Sequence, residues 1–194
     1  MLSLLLFLSL IHSPASTTDE VRFYQGMLVL QGGEVWVGSI GIRAYEVVIF
    51  KNGDQTFVLP AHRLSMVRFY DATENINRKM VVARSGLSSP LMLYEEVVSG
   101  EVEVLRRPRD LPGKVAFADH NAFDYFALVH GELILLQKFK GYIYPVLHEQ
   151  AGRQMESFIA QNKLSINVMA DAIRIITFYN QHMRNLHTGL VGMR

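Results

Sequence analysis

Cysteine is absent from this chain of 194 residues. Its absence excludes disulfides, thiolate nucleophiles, cysteine-based zinc sites and a lipidated N-terminal cysteine. A chain of this length buries a core without such staples. That suits a bacterial envelope protein better than a small disulfide-stapled secreted domain. Charge of one sign is also lacking. Nineteen Lys and Arg face 18 Asp and Glu, for a formal net charge of +1. No strong field therefore draws the chain to nucleic acid or to an anionic membrane. No HExxH spacing and no GxSxG elbow occurs. What is present is apolar: 49% of residues are hydrophobic and 19% are charged, the balance of a folded chain rather than a disordered one. The length predicts a single globular domain over residues 16–194.

The longest uncharged run opens the chain. Leu2 to Ile11 reads LSLLLFLSLI, far short of the roughly 20 apolar residues a spanning helix needs and suited to the core of a secretory signal. Ser13 and Ala15 supply small residues at cleavage spacing, and Pro14 breaks the helix. We expect residues 1–15 to be a signal peptide and the mature chain to start near Ser16. The expected address is export, to the periplasm, the outer membrane or the outside. The rest of the chain has no membrane-length segment, so no transmembrane helix is expected in the mature protein.

From residue 20 to about 140 the pattern is short apolar runs turned by glycine. Met27–Leu30 meets Glu34–Val37 across Gln31-Gly32-Gly33, and Val47–Phe50 meets Thr56–Leu59 across Asn52-Gly53. Glu96–Val98 meets Val102–Val104 across Ser99-Gly100, and Phe126–Val129 meets Leu133–Leu136 across His130-Gly131. Such dipeptides supply the positive φ of tight hairpins, and the flanks are rich in Val, Ile, Phe and Tyr. A further pair, 65–70 and 78–84, flanks the polar loop 71–77. This predicts about nine or ten antiparallel strands. Glu101-Val102-Glu103-Val104 alternates, which predicts one wet face; Leu133–Leu136 is apolar throughout, which predicts cover on both faces.

Two helices are expected after the strands, over about 145–184. Leu147, Ala151, Met155, Phe158 and Ile159 recur at helical spacing, with Pro145 in the first turn. Ser165 reads as the N-cap of the second helix, with Leu164 and Met169 as a hydrophobic staple. Met169, Ala172, Ile173, Ile176 and Met183 line its buried face. The tail from Leu186 is expected to fray. The predicted fold class is α+β: an antiparallel hairpin-built sheet, as a sandwich or partly closed barrel, covered by a C-terminal helical pair.

Few residues invite a chemical reading. Asp119-His120-Asn121, followed by Asp124, is the densest polar cluster and could serve a metal or acid–base chemistry. The same residues commonly start turns. His182 and His187 are spaced off one helix face, and His148 lies on the other helix. Arg106, Arg107 and Arg109 could grip an anion, but read more simply as a solvated loop running from Arg106 to Asn121. Ser85–Pro90 reads as a connecting turn, and Trp36 as core. No catalytic, cofactor-binding or metal-ligating residue is assigned, no cofactor is expected, and nucleic acid is not an expected partner.

The layout resembles a loose group of exported β-rich proteins of Bacteroidota-type bacteria. The likeness rests on the glycine-spaced opening from Gly26 to Ile40, the Asn52-Gly53 hairpin and Met66-Val67-Arg68-Phe69-Tyr70. Glu96–Gly100 before Leu105-Arg106-Arg107, Phe123-Asp124-Tyr125, Leu136–Lys140 and Phe178-Tyr179-Asn180 complete it. The resemblance implies an envelope address and no activity. Three functions then stand in order. The first is a non-enzymatic interaction or structural protein of the envelope, an accessory subunit of a membrane-associated assembly with protein partners there. The second is a periplasmic ligand-binding β module with a cleft between sheet and helices. The third, and last, is a metal-assisted hydrolase using Asp119 and His120.

Overall fold

The computed structural model describes residues 21–86, 88–109 and 122–191. The expected signal peptide and the cluster Asp119-His120-Asn121 lie outside them. Ten strands form one antiparallel sheet: β1 (Phe23–Leu30), β2 (Val35–Arg43), β3 (Val47–Asn52), β4 (Gln55–Pro60), β5 (Leu64–Asp71), β6 (Ile76–Ala83), β7 (Met92–Val98), β8 (Glu103–Pro108), β9 (Phe123–Val129) and β10 (Glu132–Leu135). Two helices follow, α1 (Tyr144–Gln161) and α2 (Met169–Val191). The order across the sheet is β10-β9-β8-β7-β6-β5-β1-β2-β3-β4. The expected α+β class, with hairpins and a helical pair, is what the chain adopts. The sheet is open, however: β4 and β10 are its two ends and do not pair, so it is not a sandwich. No helix among the described residues is long and apolar enough to cross a membrane.

The hairpin turns fall where the glycines are. Left-handed backbone occurs at Gly33, Gly53, Gly100 and Gly131, each within a turn that the sequence suggested. Only β5 departs from a simple meander. It follows β4 through a 3₁₀ turn at Ala61–Arg63 and returns to pair with β1.

One face of the sheet, here the inner face, carries two apolar clusters. Under the helices, Val104, Phe123, Tyr125, Ala127 and Val129 pack against Leu147, Ala151 and Met155 of α1 and Ala172, Ile175, Ile176 and Tyr179 of α2. The second cluster is drawn entirely from β1–β7 and the 3₁₀ turn, with Leu28, Ile40, Val48, Leu64, Val67, Met80 and Leu93 fully buried. Strands can bury one another's inner faces only if the sheet coils strongly. Gly26 and Gly38 sit opposite each other at the coil. A Cβ at Gly26 would lie 2.2 Å from the Arg68 carbonyl oxygen, and one at Gly38 would lie 2.4 Å from that of Lys51. Paired glycines at a bend of this kind are how a strand lets its neighbour's backbone approach. The coil brings the β2–β3 turn onto β7, where the Leu93 N–H donates to the Tyr45 carbonyl at 2.7 Å. This part of the sheet curls on itself, while the sheet as a whole stays open and does not close as a barrel.

Four local expectations need correction. Arg106 and Arg107 lie in β8, not in a solvated loop, because Glu95 and Tyr94 on β7 provide partners for them. Leu133–Leu136 is covered only in part: Leu133 and Ile134 pack against clusters on opposite faces, but Leu135 stays exposed. Ser165 does not cap α2. Its hydroxyl accepts from the Asn167 N–H and its carbonyl from the Val168 N–H, closing a separate turn, and α2 begins at Met169. At its far end α2 runs to Val191, past the expected end near residue 184.

Candidate functional site

Three features of the fold bear on function: a charged seam, a polar cleft and a bare sheet end. The seam lies on the inner face between the two apolar clusters. Arg78 Nε donates to Asp71 Oδ2 at 2.9 Å and Arg78 Nη1 to Glu95 Oε1 at 2.5 Å; Arg106 Nε donates to Glu95 Oε2 at 2.8 Å. All four side chains are buried. Strand register explains the meeting: Met80, Glu95, Arg106 and Tyr125 stand in one cross-strand row, and Arg78 and Asp71 occupy the same inward phase of β6 and β5. The Arg106 guanidinium also sits 4.3 Å from the Phe123 ring centroid. Burial alone would lower the Arg106 pKa; the hydrogen bond and charge of Glu95, with Tyr125, outweigh it and hold it above its ordinary value. Beside the seam, burial first and the Glu95 charge second push the Tyr45 hydroxyl well up. Two acids and two guanidiniums satisfy one another here, so the seam reads as a structural joint.

The cleft lies where the β7–β8 turn meets the helices. Asn180 of α2 pins that turn: its Oδ1 accepts from the Val102 N–H at 3.1 Å, and its Nδ2 donates to the carbonyls of Val102 at 2.8 Å and Ser99 at 3.3 Å. Gly100 is required in this contact, since at φ +147° a Cβ would meet Asn180 Cγ at 2.4 Å. Glu101 projects next to it. The Tyr179 hydroxyl donates to Gln150 Oε1 at 2.5 Å with Glu101 Oε2 3.4 Å away, and His187 Nδ1 is 3.4 Å from Glu101 Oε1. Burial, then Glu101, pushes the Tyr179 pKa up to about 12. Two adjoining cavities share Glu101. One, of about 440 Å³, is lined by Gly100, Asn180, Arg184, His187 and Thr188; the other, of about 290 Å³, by Val129, His130, Val146, Gln150 and Tyr179.

The bare end is β1–β4. Its outer face shows Val37 at 69%, Val58 at 64% and Val35 at 52% exposure. Inside the coil mouth Trp36 is half-buried between Phe50 and Phe57, with centroids 5.4 and 5.0 Å away, and its Nε1–H donates to Glu34. The tryptophan is thus part of an aromatic rim. β4 ends the sheet with the sequence QTFVLP, which holds no charged residue.

The residues singled out from sequence do not converge. Asp124 pairs with Arg109 at 2.8 Å. His148 pairs with Glu156 at 2.8 Å, His182 stacks on Phe178, and only His187 reaches the cleft. No group of three metal-ligating side chains occurs among the described residues. Sequence reading missed Glu95, Tyr179 and Asn180. The available signal was a glutamate in the inward phase of an otherwise apolar strand, Leu93 and Glu95 sharing one side. No family model, curated protein or solved structure matches this chain.

Proposed function

We propose that the protein is an exported component of the cell envelope that works by interaction, as a structural or accessory subunit of a membrane-associated assembly. The observation that carries this reading is the bare β1–β4 end, where an uncharged edge strand exposes Val58, and β2, farther along the same outer face, exposes Val35 and Val37. Single exposed apolar residues are ordinary. An unblunted, uncharged sheet edge is the kind of surface that recruits a partner. The apolar opening segment and the small residues up to Ala15 support the exported address. The experiment is photocrosslinking in the native host from Val37 and Val58, with Glu149 on the exposed side of α1 as control, after fractionation and N-terminal sequencing. A defined envelope protein crosslinked from the valines and not from Glu149, on a chain starting near Ser16, is the expected result. A cytosolic chain that keeps its N-terminus, or equal crosslinking from all three sites, would overturn it.

The cleft favours a second reading, a ligand-binding β module. Its Glu101–Tyr179–Gln150 arrangement offers a carboxylate and an amide in a cavity of mixed lining, with Val129 and Val146 beside His130. Native mass spectrometry of the purified protein tests it. A small molecule retained by the wild type and lost in Tyr179→Phe would support this reading; its absence from both would leave the interaction reading alone.

A further inference from the structure

We infer that the β4 edge pairs with the β4 edge of a second copy of this chain, antiparallel about a two-fold axis at Phe57. The inference rests on the interaction reading above and names its partner.

The turn geometry decides which groups of β4 are free. Asn52 and Gln55 are register partners across the two-residue turn Gly53-Asp54, so they form a hydrogen-bonded pair. Such pairs alternate along an antiparallel ladder. Phe50/Phe57 and Val48/Leu59 are therefore the next hydrogen-bonded pairs. Gln55, Phe57 and Leu59 direct their backbone groups to β3, while Thr56 and Val58 direct theirs away from the sheet. Pro60, the next outward position, has no N–H. Among the described residues no strand pairs with this edge, which is thus a two-rung ladder with a fixed end.

Only one self-pairing uses both rungs in full. With Phe57 opposite Phe57 of the second copy, Thr56 faces Val58 on each side, and four N–H···O=C bonds form without asking for the N–H that Pro60 lacks. The two Phe57 side chains meet on the inner face beside the Trp36 rim, a favourable cross-strand aromatic pair. Thr56 and Val58 alternate on the outer face. Because β4 has no Lys, Arg, Asp or Glu, self-pairing brings no like charges together. Natural edges are usually blunted by such charges or by a central proline. Here the only proline stands at the end of the strand, where it sets the register. The strand is about 20 Å long and the contact falls below the roughly 1,200 Å² of stable complexes, which predicts a weak, concentration-dependent dimer.

The missing cysteines make the test clean, because a single introduced thiol has only its own copy to pair with. Sedimentation of the purified full chain over a concentration series should show a reversible monomer–dimer equilibrium. Val58→Lys, which adds a gatekeeper charge, should weaken it about tenfold or more. Thr56→Pro, which deletes an outward N–H, should do the same, and both variants should melt as the wild type does. Under mild oxidation Phe57→Cys should give a disulfide dimer far faster than Leu135→Cys on β10. A chain that stays monomeric at every concentration, with equal slow crosslinking from both cysteines, overturns the second copy as partner. If Val58 still crosslinks to a different envelope protein in cells, the interaction reading survives that result; if it crosslinks to nothing, both fail together.

Discussion

At the β8–β10 end the inner face of the sheet is covered by α1 and α2; at the β1–β4 end it is covered by the sheet's own coiling. The two edges differ in the same sense. β10 is four residues long, includes Glu132 and turns at once into the 3₁₀ segment Leu136–Lys138. β4 is six residues long, carries no charge and offers its outward backbone groups. One end is finished by added structure, the other only by curvature. The comparison teaches that a coiled sheet can seal its core while leaving its edge available. The buried seam of Asp71, Arg78, Glu95 and Arg106 stands where the two modes of cover meet.

The largest effect should come from breaking that seam. Arg78→Met leaves Asp71 and Glu95 buried without their shared cation, and should cost about 3–5 kcal/mol in urea denaturation. Both ends should lose stability together, because the seam joins their cores along β6–β8. Leu28→Ala in the coil and Ile176→Ala under the helices should each cost about 2–5 kcal/mol, with one shared transition followed by Trp36 fluorescence and by helical circular dichroism. Two separated transitions would break the comparison into two independent units.

Much of this architecture is legible in the sequence, and for a local reason. Gly53, Gly100 and Gly131 announce their turns, and the spacing of Leu147, Ala151 and Met155 announces α1. What is not legible is non-local. The return of β5 to β1 depends on a 3₁₀ turn with no strong sequence signal. The seam depends on four charged residues spread from 71 to 106, and charged residues are ordinarily read as surface. Asp71 reads as a loop residue and Arg106 as a solvated one until register brings them to Glu95 and Arg78. The cleft is illegible for the same reason: Glu101 and Tyr179 are far apart in the chain and meet only because Asn180 holds the β7–β8 turn.

Smaller effects sharpen the helix-covered end. Asn180→Ala removes three hydrogen bonds to that turn and should cost about 1–3 kcal/mol. The smallest effect is one of pH. The Tyr179 hydroxyl is raised from 10.0 to about 12 in the folded protein, so the unfolded chain ionises first as pH rises. Its contribution to stability is complete below pH 10 and is lost as pH climbs toward about 12. Urea midpoints across that window should fall less steeply in Tyr179→Phe than in the wild type. Tyr45 and Tyr144, whose hydroxyls are also raised by burial, contribute to the slope that remains.

The central proposal is that the β4 edge is open in one copy and closed by another. Hydrogen exchange at single-amide resolution reads this directly. The Thr56 and Val58 amides should exchange quickly in dilute protein and slow as concentration rises, while the Phe57 amide, bonded to β3, and the Leu133 amide on the β10 edge stay unchanged. Thr56 and Val58 amides as protected as that of Phe57 at the lowest concentration, or indifferent to concentration throughout, would contradict it.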